Sequence, residues 1–505
     1  MLTKRTLLKA ALATGVVTVF SGLVPGMRAI AQQGLRVRRN VNTMSLDDPD
    51  LQTYRDFVGL MRARPQSNPV SWVGFANQHG NARGYKYCPH GDWYFLPWHR
   101  AYMEMYEKAA AALMKNPSFA MPYWDWTTLR QLPAAFTAKT YKGKPNPLYV
   151  PGRGDPTKTK RNALTGANAL TDELVGPDVM RKIYQETDYE VFGTSRSVDR
   201  SNPSAPVVQN SLDPKWVPMG GGTQGTLESV PHNNVHNNIG GFMPYPNSPR
   251  DPVFMMHHGN IDRIWAHWNA LGRQNSQDAL WRDMSFTNNY ISPEGQLYTR
   301  VVKDLESTAA LGYTYDETPS PDNKPVDALR AANLAALFNP AATGTPRRFA
   351  MSNTAAARSL APLKLSVPIA SEAVNTVVEP APGSAGGREI VARITDIRMG
   401  DKVRALRIFI NRETVSLDVP SSDIHYVTTV GFLKHAMDTA KAHDSHHGKL
   451  PSVIVNLTDT VQRLSKTGRL STDSITVQIL PVPEPGVLPA AVGDVVPTSV
   501  EIAII

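Results

Sequence analysis

The stretch CPHGDWYFLPWHR, residues 88–100, sets His90 and His99 among aromatic rings, with Cys88 two places before the first of them. A third histidine, His79, lies upstream. A second group follows later in the chain: His232 and His236 in PHNNVH (231–236), and His257 and His258 in DPVFMMHHGNID (251–262). Neutral imidazole is a good ligand for copper, zinc, iron and nickel. Two sets of three imidazoles, His79/His90/His99 and His232/His236/His258, without paired thiolates and with few carboxylates nearby, point to two metal ions side by side.

A single histidine of this kind is more often a satisfied core residue than a ligand. The joint occurrence changes the weighing: of the 13 histidines, six fall into two groups at helix-and-turn positions. His232 and His236 are four apart, one helical turn, so both face the same side. HNNVH lacks the glutamate of the zinc-protease HExxH, which argues against a metalloprotease.

The helices follow from the punctuation. Asn68-Pro69 opens one that runs to His79 and stops near Gly80. Gly80 to Gly91 reads as a loop. Pro97 begins a second helix, with Tyr102, Met105, Tyr106 and Ala109 at core-facing spacing, ended by Asn116-Pro117. A third holds His232 and His236, and Asp251-Pro252 caps a fourth. Four core helices, each donating ligands, are therefore expected, with long loops over residues 127–220. Pro/Gly/Ser/Ala-rich stretches mark a linker at 317–345. From 346 to 505, EIVARITDI, ALRIFI, ETVSLDV, SVIVNL and SITVQIL read as the strands of a C-terminal β-sandwich. The fold class is thus a mainly α domain (32–316) carrying the metal site, followed by a β-rich domain.

The 505 residues suffice for more than one domain. The formal charge is +9. Residues 1–31 have the form of an export leader: basic Lys4, Arg5 and Lys9, an apolar run from Ala10 to Leu23, and Ala29-Ile30-Ala31 as cleavage site. This leader carries four bases and no acid, so its removal lowers the charge to +5. That surplus is spread along the chain and gives no case for a nucleic-acid partner. The run is short and broken by glycine, so no membrane anchor is expected in the mature form, which would be periplasmic or secreted. Thr3-Lys4-Arg5-x-Leu7-Leu8-Lys9 resembles a twin-arginine signal with lysine in place of the first arginine. With Cys88 the sole cysteine, no intrachain disulfide can form.

The pattern His90-x4-Phe95-Leu96-Pro97-Trp98-His99-Arg100-x2-Met103-x3-Glu107 resembles the copper-A signature of tyrosinases, catechol oxidases and haemocyanins. Asp251-Pro252-x-Phe254-Met255-x2-His258-x3-Asp262 resembles their copper-B signature. A looser likeness to plant polyphenol oxidases lies in PYWDW (122–126), GTLESVPHNNVH (225–236) and the run from Phe286 to Tyr315. The family that these motifs resemble is that of the type 3 copper proteins. The resemblance implies two copper ions with dioxygen as co-substrate and small phenols as substrates, hydroxylated ortho to the hydroxyl or oxidised from o-diphenol to o-quinone. It implies that His79, His90 and His99 bind one copper and His232, His236 and His258 the other, with His257 a packing neighbour.

The same resemblance gives Glu228 the place of a glutamate that holds a water near copper B. It gives Asn233 the place where asparagine accompanies monophenol hydroxylation. The competing reading is that both merely cap or solvate the helix start. Cys-x-His implies a thioether between Cys88 and His90, against an inert buried thiol. Tyr245 or Pro246 falls near a gate over copper A. The C-terminal domain is implied to cover the pocket and insert a side chain into it. His443, His446 and His447 read as a solvated loop. The rivals to a tyrosinase are a catechol-only or o-aminophenol oxidase and, in another class, a haemocyanin-like dioxygen carrier.

Overall fold

The computed structural model describes residues 34–151, 153, 169–197, 221–322, 327–339, 342–353, 360–379, 388–434, 451–470, 473–484, 486–488 and 492–505. The leader and the His443/His446/His447 loop lie outside them.

Asp48 caps α1 (Pro49–Ala63) by accepting from the Asp50 N–H, and Pro49 occupies the first turn, where a missing N–H costs nothing. Its Leu51, Tyr54, Phe57, Val58 and Met61 share one buried face. Ser71 caps α2 (Trp72–His79). In α3 (Phe95–Leu113), which starts two residues ahead of Pro97, the expected Tyr102, Met105, Tyr106 and Ala109 are all buried. Glu228–His232 forms a π-turn enclosing Pro231 and runs straight into α4 (Asn233–Ile239). The wider π-turn accommodates the missing proline N–H, and such turns are concentrated at functional sites. α5 (Val253–Ala270) begins where Asp251 Oδ1 accepts the Val253 N–H at 2.9 Å. These helices and the loops between them close one apolar cluster.

One part of the four-helix expectation is corrected: His232 comes from the π-turn that precedes α4. His90 stands in the expected loop, before α3. The chain reverses over residues 80–91, with Gly91 at φ +61°, so a ligand there can be presented only from a loop.

Three short strands serve this core: β1 (Arg36–Arg38), β2 (Thr223–Gln224) and β3 (Tyr313–Tyr315). β1 and β3 pair in parallel and strap α3 to α5. Arg38 bonds Glu107 of α3 at 2.8 Å and Asp262 of α5 at 3.0 Å. Arg100 reaches Asp262 at 2.5 Å, and the Tyr313 and Tyr315 hydroxyls donate to the same carboxylate. Asp262 is buried, yet its pKa is held below the usual carboxylate value: its desolvation is outweighed by the two guanidinium groups. The helices carrying His99 and His258 are thus fixed relative to one another by a dry ionic cluster.

The C-terminal region is sheet-rich. Its longer strands are β4 (Arg347–Ser352), β5 (Leu363–Pro368), β6 (Ile390–Thr395), β7 (Val403–Ile410), β8 (Tyr426–Gly431), β9 (Ser452–Asn456), β10 (Ser474–Pro483) and β11 (Ser499–Ile504). One sheet has the order β4-β11-β6-β9-β2, the other β5-β10-β7-β8. Alternate residues of both, among them Leu365, Ile394, Ile408, Val455, Val477 and Ile502, meet in a single buried cluster. ETVSLDV, read as a strand, is instead a connection. Its Val415 and Val419 tuck beside Phe409, Tyr426 and Leu480. The expected linker contains a helix, α6 (Ala328–Phe338), whose Leu334, Leu337 and Phe338 pack against Val191 on one side and Val391 and Ile454 on the other.

β2 is the element that matters for the site. It belongs to the helical part, four residues before Glu228, yet it is the edge strand of the C-terminal sheet, parallel to β9. No described helix is long and apolar enough to cross a membrane.

Candidate metal centre

Two groups of potential ligands form where the helices meet. His79, Cys88, His90 and His99 make one, and His232, His236, His257 and His258 the other; within each, one ligand atom per residue lies within 4.8 Å of the rest, and all eight side chains are buried. The groups adjoin. The His99 and His258 rings stack at 4.3 Å, His90 and His232 at 5.7 Å, and Phe254 lies 4.1 Å from the His258 ring and 5.3 Å from that of His79. All six histidines singled out in the sequence are therefore brought together.

Their hydrogen bonds fix which nitrogen is free. Nδ1 of His79 meets the Pro246 carbonyl at 2.6 Å, that of His99 the Phe95 carbonyl at 2.8 Å, that of His236 the Met243 carbonyl at 2.7 Å, and that of His232 the Asn233 Oδ1 at 2.8 Å. Each acceptor requires Nδ1 to carry the proton, leaving the Nε2 lone pair for a metal. Nε2 of His79 and of His232 are buried with no hydrogen-bond partner. Nε2 of His236 and of His258 lie 3.1 Å apart. Orphaned lone pairs would be costly without a cation to receive them. Burial pushes His99 down to about 3 and His236 to about 4, and drives His79, His232 and His258 well below the ordinary value, so all are neutral at neutral pH. Neutral, preoriented imidazoles are the donor set a borderline metal needs.

His257 differs in its wiring. Its Nδ1 accepts the Trp126 indole N–H at 3.2 Å, which leaves the proton on Nε2. It packs beside His232 and His236 without a lone pair to offer. The Cys88 sulfur lies 3.6 and 3.9 Å from the two ring nitrogens of His90 and 3.2 Å from His99 Nε2, and burial pushes its thiol up, so it stays protonated.

Glu228 is fully buried. Its Oε1 accepts from the Gly91 N–H at 2.9 Å and the Gln224 amide at 3.2 Å, and its Oε2 meets the Thr194 hydroxyl. Burial raises it from 4.5 to about 7, against the pull of these three donors. Asn233 accepts from His232 and donates to Gln224 Oε1 at 3.3 Å and to the Gly431 carbonyl at 2.8 Å. Thr194 and Gln224 went unnoticed in the sequence; neither lies in a histidine motif. Tyr245 is half-buried, 5.9 Å from the Lys434 ammonium, while the neighbouring Pro246 orients His79 through its carbonyl.

The C-terminal region bonds to residues that neighbour the ligands. Besides Gly431, the Phe432 carbonyl accepts from Asn237 at 2.9 Å, the Lys434 N–H donates to Pro244 at 2.9 Å, and the Tyr85 hydroxyl donates to the Lys434 carbonyl at 3.3 Å. The Tyr85 ring itself lies 4.7 Å from that of His90.

Residues 69–271 match the common central domain of tyrosinase. The chain is 26% identical over 487 residues to tyrosinase HcTyr1 of Hahella sp., covering 88% of this chain and 95% of that one. It is 28% identical over 340 residues to polyphenol oxidase A1 of Vicia faba, covering 60% of this chain and 51% of the plant protein, so it spans about half the length of that relative. The fold is similar to those of latent apple tyrosinase (TM-score 0.61, 21% identity, 93% of this chain and 96% of that one) and a latent aurone synthase from natural source (TM-score 0.62, 20% identity, 94% and 90%).

Proposed function

For a chain that belongs to the type 3 copper proteins, with a pair of copper ions and dioxygen as co-substrate, we propose that the reaction is that of a tyrosinase. A monophenol and dioxygen would give an o-quinone and water; two o-diphenols and one dioxygen would give two o-quinones and two waters. His79, His90 and His99 would hold one ion and His232, His236 and His258 the other. The copper pair supplies dioxygen binding and two-electron exchange. The remaining tasks fall to the protein.

The observation that carries monophenol hydroxylation is a fully buried carboxyl, raised to about 7, at the start of the π-turn that ends in His232. A phenol must lose its proton to bind a metal well, and a base near neutrality is suited to accept it. Glu228 takes that role, with Asn233 orienting the phenol side of the pocket while it holds the His232 tautomer. A dioxygen carrier has no need of such a base, and an o-diphenol, being the more acidic phenol, depends on it less than a monophenol does. Oxygen uptake with a monophenol and with an o-diphenol, measured on wild type and Glu228→Gln, tests the reading. Loss of the monophenol reaction alone supports it; an unchanged ratio overturns it.

Further assignments belong to this reading. Cys88 would join His90 by a thioether, a reading supported by the closeness of the sulfur to that ring, 3.6 and 3.9 Å from its two nitrogens. The bond forms with loss of the S–H and a ring C–H hydrogen, their electrons passing to dioxygen. It also removes a thiol that would otherwise donate to the His99 lone pair. The C-terminal sheets, packed as a sandwich, would shield the pocket through residues 431–434. Leu433 is the candidate plug, since it is buried but joins none of the described apolar clusters. Tyr245, held near Lys434, would gate the same mouth, and residues 1–31 would direct export.

A further inference from the structure

Gln224 is the side chain through which the base and a metal-ligand helix are joined. Its carboxamide lies between Glu228 and Asn233, donating to Glu228 Oε1 at 3.2 Å and accepting from Asn233 Nδ2 at 3.3 Å. Gln224 is 2% exposed, and Asn233 and Glu228 are fully buried, so water does not compete for these bonds.

The direction of every bond in this chain follows from the Gly431 carbonyl, which can only accept and so takes Asn233 Nδ2 as its donor. Asn233 Oδ1 then faces His232, whose Nδ1 carries the proton and donates to it. That fixes the Asn233 amide as the donor on its other side. Gln224 must then accept on Oε1 and donate from Nε2, which makes Glu228 Oε1 an acceptor. Any proton Glu228 holds must sit on Oε2, toward Thr194, whose hydroxyl also reaches the Gly193 carbonyl at 2.7 Å. An amide is the side-chain group that accepts at one end and donates at the other with both ends fixed.

We propose that Gln224 is a positioning residue for monophenol oxidation, holding Glu228 with its Oε1 as acceptor and registering it to the His232 tautomer. The inference rests on the reading of Glu228 as the base. Its second support is independent of the side chains. Gln224 is held by backbone pairing with Val453 of β9, and Thr223 with Ser452, so the C-terminal sheet sets where this amide stands. The Asn233 end of the chain is tied to the same region at Gly431. A segment with a purely structural task would have no reason to be aimed at a carboxyl of perturbed acidity.

The test uses the full copper-loaded chain. Gln224→Met keeps the length and removes both bonds; Gln224→Glu keeps the acceptor toward Asn233 and turns the donor toward Glu228 into a second carboxylate. Both should lower the ratio of monophenol to o-diphenol kcat/KM, Met by roughly fivefold to tenfold, about the worth of one hydrogen bond, and Glu by more. The loss should fall on monophenol kcat and not on KM. The ascending limb of the monophenol pH profile should move to higher pH, furthest in Gln224→Glu. If Gln224→Met fails to fold or load copper, Gln224→Glu alone decides. Ratios and pH limbs equal to wild type in the variants that load copper, alongside a Glu228→Gln variant that has lost the monophenol reaction, would overturn the assignment to Gln224. If Glu228→Gln keeps its ratio too, it is the base itself that has been misassigned.

Discussion

Replacing Glu228 by glutamine should make the copper-free protein more stable, and only above a definite pH. Raising a buried carboxyl from 4.5 to about 7 corresponds to roughly 3 kcal/mol against its ionised form in the folded chain. Below pH 4.5 the group is protonated folded and unfolded alike, and there is no penalty. Between 4.5 and 7 the unfolded chain releases its proton first, so stability falls as pH rises; above about 7 the full penalty is present. Glutamine removes it without breaking a bond: its Oε1 still accepts from Gly91 and Gln224, and its amide can donate to Thr194, whose hydroxyl passes on to Gly193. The two proteins should therefore unfold together near pH 4 and differ by roughly 3 kcal/mol at pH 8, a shift on the order of 1 M in the urea midpoint. All nine tryptophans precede residue 282, so their fluorescence reports unfolding of the helical part. Parallel transitions from pH 4 to 8, or a less stable variant at pH 8, would show that the carboxylate is fully compensated and that its perturbed acidity is no part of the site.

Asp262→Asn removes the charge shared by Arg38 and Arg100 and leaves two buried guanidinium groups short of a counter-ion. A loss of roughly 3–5 kcal/mol is expected, read as a lower melting temperature together with weaker copper retention; an unchanged melt would place the stability of the α3–α5 pair elsewhere. Wild type purified with copper in air should be lighter than its sequence mass by two hydrogen atoms and resist alkylation after unfolding. Cys88→Ala should match its own sequence mass, and an alkylatable thiol in wild type would exclude the thioether. Gly431 packs so closely on α4 that a Cβ there would meet Asn234 Oδ1 at 2.8 Å and its backbone nitrogen at 3.1 Å. Gly431→Ala should therefore loosen the covering segment and raise o-diphenol turnover of the uncut chain roughly threefold to tenfold, as loss of a net hydrogen bond or so across the contact would; equal turnover in cut and uncut chains would refute the cover.

What the sequence disclosed was the chemistry that sits close together along it. His99, His232, His236 and His258 stand in motifs whose spacing and flanking aromatic residues survive any change of tertiary detail, and His79 followed as the remaining upstream histidine. The helix Pro49–Ala63 had every local sign, an Asp-Pro start and apolar residues at 51, 54, 57, 58 and 61, but carries no ligand and drew no notice. Strand assignments failed where alternation was weighed without partners. Val415 and Val419 of ETVSLDV satisfy their burial in a connection, by covering one end of the sheet. The strand Ser499–Ile504, central in its sheet, is recognisable only through its pairing with Arg347–Ser352 and Ile390–Thr395. Gln224 lay beyond reach for the same reason: its meaning depends on a strand whose nearest residue, Ser452, is more than two hundred positions away.

On the proposed reading of Glu228 as base and the C-terminal sheets as cover, the two share one mechanical support. Strand β9 pairs with the backbone of Thr223 and Gln224, four residues before Glu228, while Gly431 at the end of β8 accepts from Asn233. These two points bracket the π-turn Glu228–His232, the stretch that delivers both the carboxyl and a metal-directed imidazole. A shield that only filled the pocket mouth could be removed without consequence for the groups behind it. Here, moving the C-terminal sheet away must also release the amide that orients Glu228 and one of the two acceptors that orient Asn233. Uncovering should accordingly raise o-diphenol turnover, which on this reading depends little on Glu228, more than monophenol turnover, which needs access and an aligned base. Assays of both substrates across a proteolysis time course decide this, and equal gains for the two would mean that the cover and the base are mechanically independent.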